Sequence, residues 1–264
     1  MEVLPLQSHD SGGRLYIVGT GPGDLLHMTP RALKALGEAD CVIGNGFYLD
    51  LVMPMLGGKE VIRSSMGKEV DRASRALALA EDRIVAMVSG GDAGVYGMAS
   101  IVLEVAERSG TKVEVEVIPG ITAAVSAGAL LGSPLSGDYV TMSLSDLLTP
   151  WEEIERRLDL AFRMRVPVVL YNPRSRGRPH NLDAAVAIAR RHLPDATPVG
   201  VIKNAYREGE GRLITTLGEF KDHFAFVDMH SIVFVGGEET RVWRSETDGR
   251  GIITPRGYHR KYVY

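Results

Sequence analysis

Five short stretches hold the residues whose types and spacing could support chemistry. The first, Leu15 to Asp24, reads L-Y-I-V-G-T-G-P-G-D, an apolar strand running into a glycine-rich turn. A dinucleotide-binding turn needs G-x-G-x-x-G, whose last glycine lets helix and strand pack beside a pyrophosphate. Asp24 stands in that place. Its carboxylate would repel phosphate, and Pro22 has no amide N–H to offer one. The loop suits close backbone approach to a ligand with no phosphate at that point. The second stretch is S-G-G-D-A-G-V-Y-G, Ser89 to Gly97, and the third is P-G-I-T-A, Pro119 to Ala123. The fourth runs Tyr171-Asn172-Pro173-Arg174-Ser175-Arg176-Gly177-Arg178, and the fifth is Lys203-Asn204-Ala205. All five follow apolar runs. Ligands of open α/β sheets sit outside the carboxyl ends of strands, so the five loops point to a crevice shared by both halves of the chain. Taken singly, each has a plainer reading. Gly-Gly-Asp is a common turn, Pro-Gly is punctuation, and three arginines can be a solvated loop face. Asn204 can satisfy its own backbone.

Several other chemistries are excluded. Met66-Gly67-Lys68-Glu69 contains Gly-Lys, but a phosphate-binding P-loop needs glycine where Ile62 stands and Ser or Thr where Glu69 stands. No G-x-S-x-G nucleophile elbow occurs. The seven histidines show no H-x-x-x-H spacing, so no metal site is expected. The single Cys41 excludes an intrachain disulfide and a thiolate zinc site, and its apolar strand makes it a small core residue. The net charge of −3 recruits neither nucleic acid nor anionic lipid, so an anionic partner must be held by local arginines. No run reaches about 18–20 apolar residues, so a membrane span is not expected. Met1 to Gly13 is polar, without an apolar signal core, and reads as a leader. With one cysteine, this fits a cytoplasmic protein.

The elements that must position these loops follow from periodicity. Valine- and isoleucine-rich runs at 14–19, 40–44, 60–63, 83–89 and 113–118 read as strands. So do 138–143, 166–171, 198–203, 211–216 and 230–236. Amphipathic stretches near 29–38, 68–81, 97–109, 121–131, 151–164 and 181–192 read as helices between them. This is the grammar of βαβ units and a mainly parallel sheet. Thr29-Pro30 and Thr149-Pro150 each offer an N-cap followed by proline at the first helical position. The length, 264 residues, suits two domains. The expected division is an N-terminal α/β lobe at 14–120 and a C-terminal α/β lobe at 121–243, with tails at 1–13 and 244–264.

The motif string now becomes recognisable. G-x-G-P-G-D, S-G-G-D-A-G-V-Y-G and P-G-I-T-A together resemble the tetrapyrrole (cobalamin-pathway) methyltransferase family, from about Leu15 to Gly236. Ser143 to Trp151, Tyr171 to Ser175, and Thr254-Pro255-Arg256-Gly257-Tyr258 are similar to its precorrin-3B or cobalt-factor III branch. That branch methylates carbon 17 and contracts the macrocycle. The resemblance implies two α/β lobes with the ligand cleft between them, and S-adenosyl-L-methionine as cofactor. It implies cofactor contacts at Pro22, Gly90, Gly91, Asp92, Val95, Thr122, Ala123, Asn172 and Ala205. Ala205 departs from a glycine common elsewhere in the family. The tetrapyrrole bears many carboxylates, which arginine forks suit. Arg174, Arg176 and Arg178 are the substrate-binding candidates, with Lys203 and Arg207 behind them. Ring contraction needs proton movement, for which Asp24, Ser145 and Asp146 are the candidates; Asp146 can equally be a cap or turn residue. A homodimer is the family's habit. Competing readings are a methyltransferase acting at another ring carbon, a nucleotide-linked oxidoreductase, which Asp24 argues against, and a non-catalytic tetrapyrrole carrier.

Overall fold

The computed structural model describes residues 13–245 and 250–263. The leader expected at 1–13 lies outside them except for Gly13. The chain divides into two units, Met1–Thr122 and Ala123–Tyr264.

In the first unit five strands form one sheet: β1 (Arg14–Gly19), β2 (Cys41–Asn45), β3 (Glu60–Ser64), β4 (Ile84–Ser89) and β5 (Glu114–Ile118). Their order is β3-β2-β4-β1-β5, and every pairing is parallel. The helices are α1 (Pro30–Glu38), α2 (Gly46–Val52), α3 (Glu69–Leu79) and α4 (Ala99–Ser109). Side chains alternate across a strand. Accordingly Leu15 and Ile17 of β1 pack with Ala73, Ala76 and Val102 of α3 and α4, while Tyr16 and Val18 pack with Ala32, Ala35 and Leu36 of α1. Both faces are covered, which is why the strands read as continuous apolar runs. Cys41 is fully buried there. Thr29 caps α1 as expected, accepting the Ala32 N–H at 3.1 Å ahead of Pro30. Helix α2 was not legible beforehand. Asn45 starts it by accepting the Phe47 N–H at 3.0 Å.

Strands β1 and β4 are neighbours, yet β1 leads away to β2 on one side and β4 to β5 on the other. Their carboxyl ends therefore form the topological switch point of the sheet, where open α/β sheets bind ligands.

The second unit begins with α5 (Ala123–Leu131) and β6 (Gly132–Ser133). Then come β7 (Val140–Ser143), α6 (Trp151–Arg163), β8 (Val168–Tyr171), α7 (Asn181–Ala189), β9 (Pro198–Lys203), β10 (Gly211–Thr216) and β11 (Ser231–Val235). The order is β10-β9-β11-β8-β7. Only β7 and β8 pair in parallel; the other three pairings are antiparallel. The mainly parallel expectation thus holds for the first sheet and fails for this one. The stretch 204–210 between β9 and β10 is too short for a crossover, which needs about a dozen residues. It turns back instead, with Asn204, Tyr206 and Gly209 all at positive φ. Helix α6 also starts differently from expectation. Pro150 is its N-cap and no side chain caps it, so Thr149 does not serve as one.

The stretch 244–264, expected as a tail, is in part a built element. Strand β12 (Arg241–Arg244) pairs with β13 (Arg250–Ile253), and β13 pairs with β6 to make a third sheet.

Candidate functional site

At the switch point the first two loops of the first unit are tied together through main chain, and the third packs against them. Gly21 and Gly91 exchange hydrogen bonds, Gly21 N–H to Gly91 O at 3.0 Å and Gly91 N–H to Gly21 O at 2.9 Å. Both take φ of 67°, a conformation that favours glycine. The third loop closes on the second. A Cβ on Gly120 would lie 2.2 Å from Gly91 O, and one on Gly19 would lie 2.6 Å from Gly120 N. Only bare backbone fits this junction.

Asp92 locks it. One carboxylate oxygen accepts the Gly94 N–H at 2.8 Å and the other accepts the Gly120 N–H at 2.9 Å. Beside it, the Tyr48 ring packs against Gly90, where a Cβ would come within 2.1 Å of Tyr48 Cε1. The main-chain N–H and C=O groups of Gly90 and Val95 bond to no other group among the described residues. They are among the free donors and acceptors of the loop, set beside glycines that put no side chain in the way. Asp24 accepts the Leu26 N–H at 2.9 Å and caps the one-turn helix Leu25–His27, with His27 Nδ1 at 3.5 Å. Its carboxylate thus does stand at a helix entrance, where an anion would meet a like charge.

In the second unit the loops after β7 and β8 and the turn after β9 share one end of the sheet. Ser143 Oγ joins the first two, accepting the Ser145 N–H at 3.2 Å and an Asn172 Nδ2 hydrogen at 3.0 Å. Asn172 sits at φ 50°. The Tyr171 hydroxyl accepts the Ala124 N–H at 2.8 Å, joining the start of α5 to the end of β8. Asp146 lies 3.9 Å from Arg178 Nε, which also donates to Ser175 Oγ at 3.3 Å. Leu147 and Leu148, next in sequence, are 79% and 93% exposed.

The three candidate arginines are not equivalent. Arg174 donates to Phe224 O at 2.7 Å, and Arg178 is turned inward to Ser175, Asp146 and Met229. Arg176 is exposed, with no partner among the described residues. Lys203 is ion-paired to Asp228 at 2.5 Å. Burial resists charge on Asp228, but hydrogen bonds from Lys203 and the His230 amide outweigh it and hold the carboxyl below the usual aspartate range. Ala205 lies in the turn after β9, between Asn204 and Tyr206 at φ 49° and 58°. Thr122 and Ala123 lie at the start of α5, on either side of the division between the units. Ser143 and Tyr171 stand at the head of stretches singled out in the sequence but are given no role there, and Tyr48 is not singled out. A serine closing an apolar strand was the one available signal, for Ser143. No group of metal-ligating side chains occurs among the described residues.

A glycine-only junction at a sheet switch point lies where open α/β sheets bind ligands, and it lets main chain come close to one. The family model for tetrapyrrole (corrin/porphyrin) methylases matches residues 14–221. This chain belongs to that family. It is 45% identical over 252 residues to the Archaeoglobus fulgidus "Cobalamin biosynthesis protein CbiHC", covering 96% of this chain and 54% of that one. The chain thus spans about half the length of that relative. It is 44% identical over 245 residues to the Salmonella typhimurium "Probable cobalt-factor III C(17)-methyltransferase", covering 92% of this chain and 99% of that one. The crystal structure of the methyltransferase CobJ matches with a TM-score of 0.84 at 32% identity, over 92% of this chain and 100% of that one.

Proposed function

We infer that this chain transfers a methyl group from S-adenosyl-L-methionine to carbon 17 of a cobalt-factor III or precorrin-3B macrocycle, with ring contraction, in cobalamin biosynthesis. The observation that carries the reading is the end-to-end similarity to the Salmonella typhimurium relative, which is named for that reaction. The site chemistry supports it. S-adenosyl-L-methionine carries a sulfonium, an amino group and a carboxylate but no phosphate. That matches a loop with free main-chain donors and acceptors at Gly90 and Val95 and a carboxylate, Asp24, at the helix entrance where phosphate would otherwise bind.

The residues proposed to hold the cofactor are Pro22, Gly90, Gly91, Asp92, Val95, Thr122 and Ala123, together with Asn172 and Ala205. Bound there, the cofactor supplies an activated methyl group. Held by these residues, it would offer that methyl in line to a ring carbon, with the sulfur departing as S-adenosylhomocysteine. The protein's task is orientation, which can supply roughly 7–11 kcal/mol of the barrier. Exposed Leu147 and Leu148 suit the apolar face of a macrocycle, and unpaired Arg176 suits one of its carboxylates. Arg174 and Arg178 join it in the proposed substrate set, after release from their present partners. Proton transfer during contraction is assigned to Asp24, Ser145 and Asp146. The same reading makes the protein a cytoplasmic homodimer, which light scattering would test. No described helix is long and apolar enough to cross a membrane.

The function is tested by incubating purified protein with S-adenosyl-L-methionine and each macrocycle. Methylation with ring contraction supports it. Cofactor binding without methyl transfer to either macrocycle would remove this branch while leaving another ring carbon open.

A further inference from the structure

The T-P-R-G-Y motif, Thr254 to Tyr258, takes no part in the site above. It lines two adjoining concavities of the second unit, of about 720 and 800 Å³. The first is bordered by Arg165–Pro167, ahead of β8, and by Gly237–Glu239, after β11. Val168 pairs with both Val140 and Val235, so this is the opposite end of the sheet from Ser143, Asn172 and Lys203.

The walls are preorganised by a buried hydroxyl relay. Gly237 N–H donates to Thr240 Oγ1 at 2.8 Å, and the Thr240 and Thr254 hydroxyls are 2.9 Å apart. Thr254 Oγ1 donates to Pro134 O at 2.6 Å. Its proton is therefore spent, so the Thr240 hydroxyl is the donor in the middle link. Three segments distant in sequence are fixed by groups that are nine-tenths buried.

Charge in the second concavity is unbalanced. Arg241 and Arg256 line the second concavity, are exposed, and have no partner among the described residues. Glu239 is the one carboxylate lining it among those residues, and it is ion-paired with Arg260. Ser133 adds a hydroxyl, and Ile253 and Tyr258 add apolar wall. Two unpaired guanidiniums beside apolar surface match carboxylates carried on an organic body better than a bare inorganic ion.

We propose that this concavity is a second binding site, for an organic polycarboxylate, separate from the site of methyl transfer. It goes beyond the proposed function and does not depend on it. Calorimetric titration with tricarballylate and, separately, inorganic phosphate tests it on three proteins: the unaltered chain, R241Q/R256Q and R241K/R256K. All three are first checked for native circular dichroism. Tricarballylate should bind saturably to the unaltered chain, at least tenfold more weakly to the glutamine variant, and at an intermediate level to the lysine variant. S-adenosyl-L-methionine affinity should be the same in all three. Unsaturable tricarballylate, equal affinity in the glutamine variant, or tighter binding of phosphate than of tricarballylate would overturn the proposal. Tricarballylate binding is read without any methyl transfer, so its outcome is independent of whether the macrocycle is methylated.

Discussion

Asp92 spends both carboxylate oxygens on backbone amides, those of Gly94 and Gly120. Any contact it makes with a cofactor is added to its work as a clamp. Asp92→Asn leaves one of those N–H groups facing an amide hydrogen. Hydrogen bonds to charged groups are worth about 1.5–3 kcal/mol. The variant should therefore lose roughly tenfold or more in S-adenosyl-L-methionine affinity by calorimetry and melt earlier. Asp92→Arg should abolish binding, and unchanged affinity there would move the cofactor elsewhere. Asp228 gives a pH test. Its folded pKa is depressed, so its stabilisation is complete above the usual aspartate value of about 3.9 and is lost as pH falls below it. Asp228→Asn should narrow the stability gap to the unaltered chain as urea melts move from pH 6 to about pH 2–3. A gap constant across that range would contradict the pairing with Lys203. Such residues were unevenly legible. The glycine loops announce themselves because an apolar strand and its turn are contiguous in sequence. Tyr48 over Gly90 does not, because that contact joins helix α2 to the loop after β4, more than forty residues on.

Elements carry direction and partnership that periodicity does not encode. A period of two identifies β9, β10 and β11 as strands but is silent on whether they run parallel. The 204–210 link is too short for a crossover and so bears on β9 and β10 alone, and the parallel expectation passed over it. Strands β12 and β13 are four residues each, rich in arginine, and β13 finds its second partner in β6, more than a hundred residues back. Nothing local marks such a sheet. Its anchor makes a prediction. Thr254→Val removes the middle of the Thr240–Thr254–Pro134 relay and leaves a buried carbonyl short of its donor. That should cost about 1–3 kcal/mol and lower the melting temperature by several degrees. Amide exchange should quicken first in β12 and β13; unchanged protection would mean the relay does not hold the sheet. The β7–α6 loop has a separate test. The double variant L147S/L148S takes away exposed apolar surface and leaves Asp146 and Ser143 in place. The KM for the macrocycle should rise about tenfold with cofactor affinity unchanged. An unaltered KM would mean that this loop does not meet substrate.

At the scale of the whole chain, two α/β units differ in how much of their architecture is conventional. The first is a parallel sheet with a switch point, and its loops form a glycine-only junction. The second is a mixed sheet whose loops hold the candidate side chains Ser145, Asp146, Asn172 and the arginines, beside Ser143 at the end of β7. Family membership rests on residues 14–221, which include every candidate cofactor position. The central claim is that this chain moves a methyl group onto carbon 17. The most direct measurement incubates it with cobalt-factor III and S-adenosyl-L-methionine bearing an isotopically labelled methyl group, followed by mass spectrometry and nuclear magnetic resonance of the product. One labelled methyl bonded to carbon 17 of a contracted ring is the predicted result. Label on another ring carbon, or a macrocycle recovered unlabelled while the cofactor is bound, would contradict it.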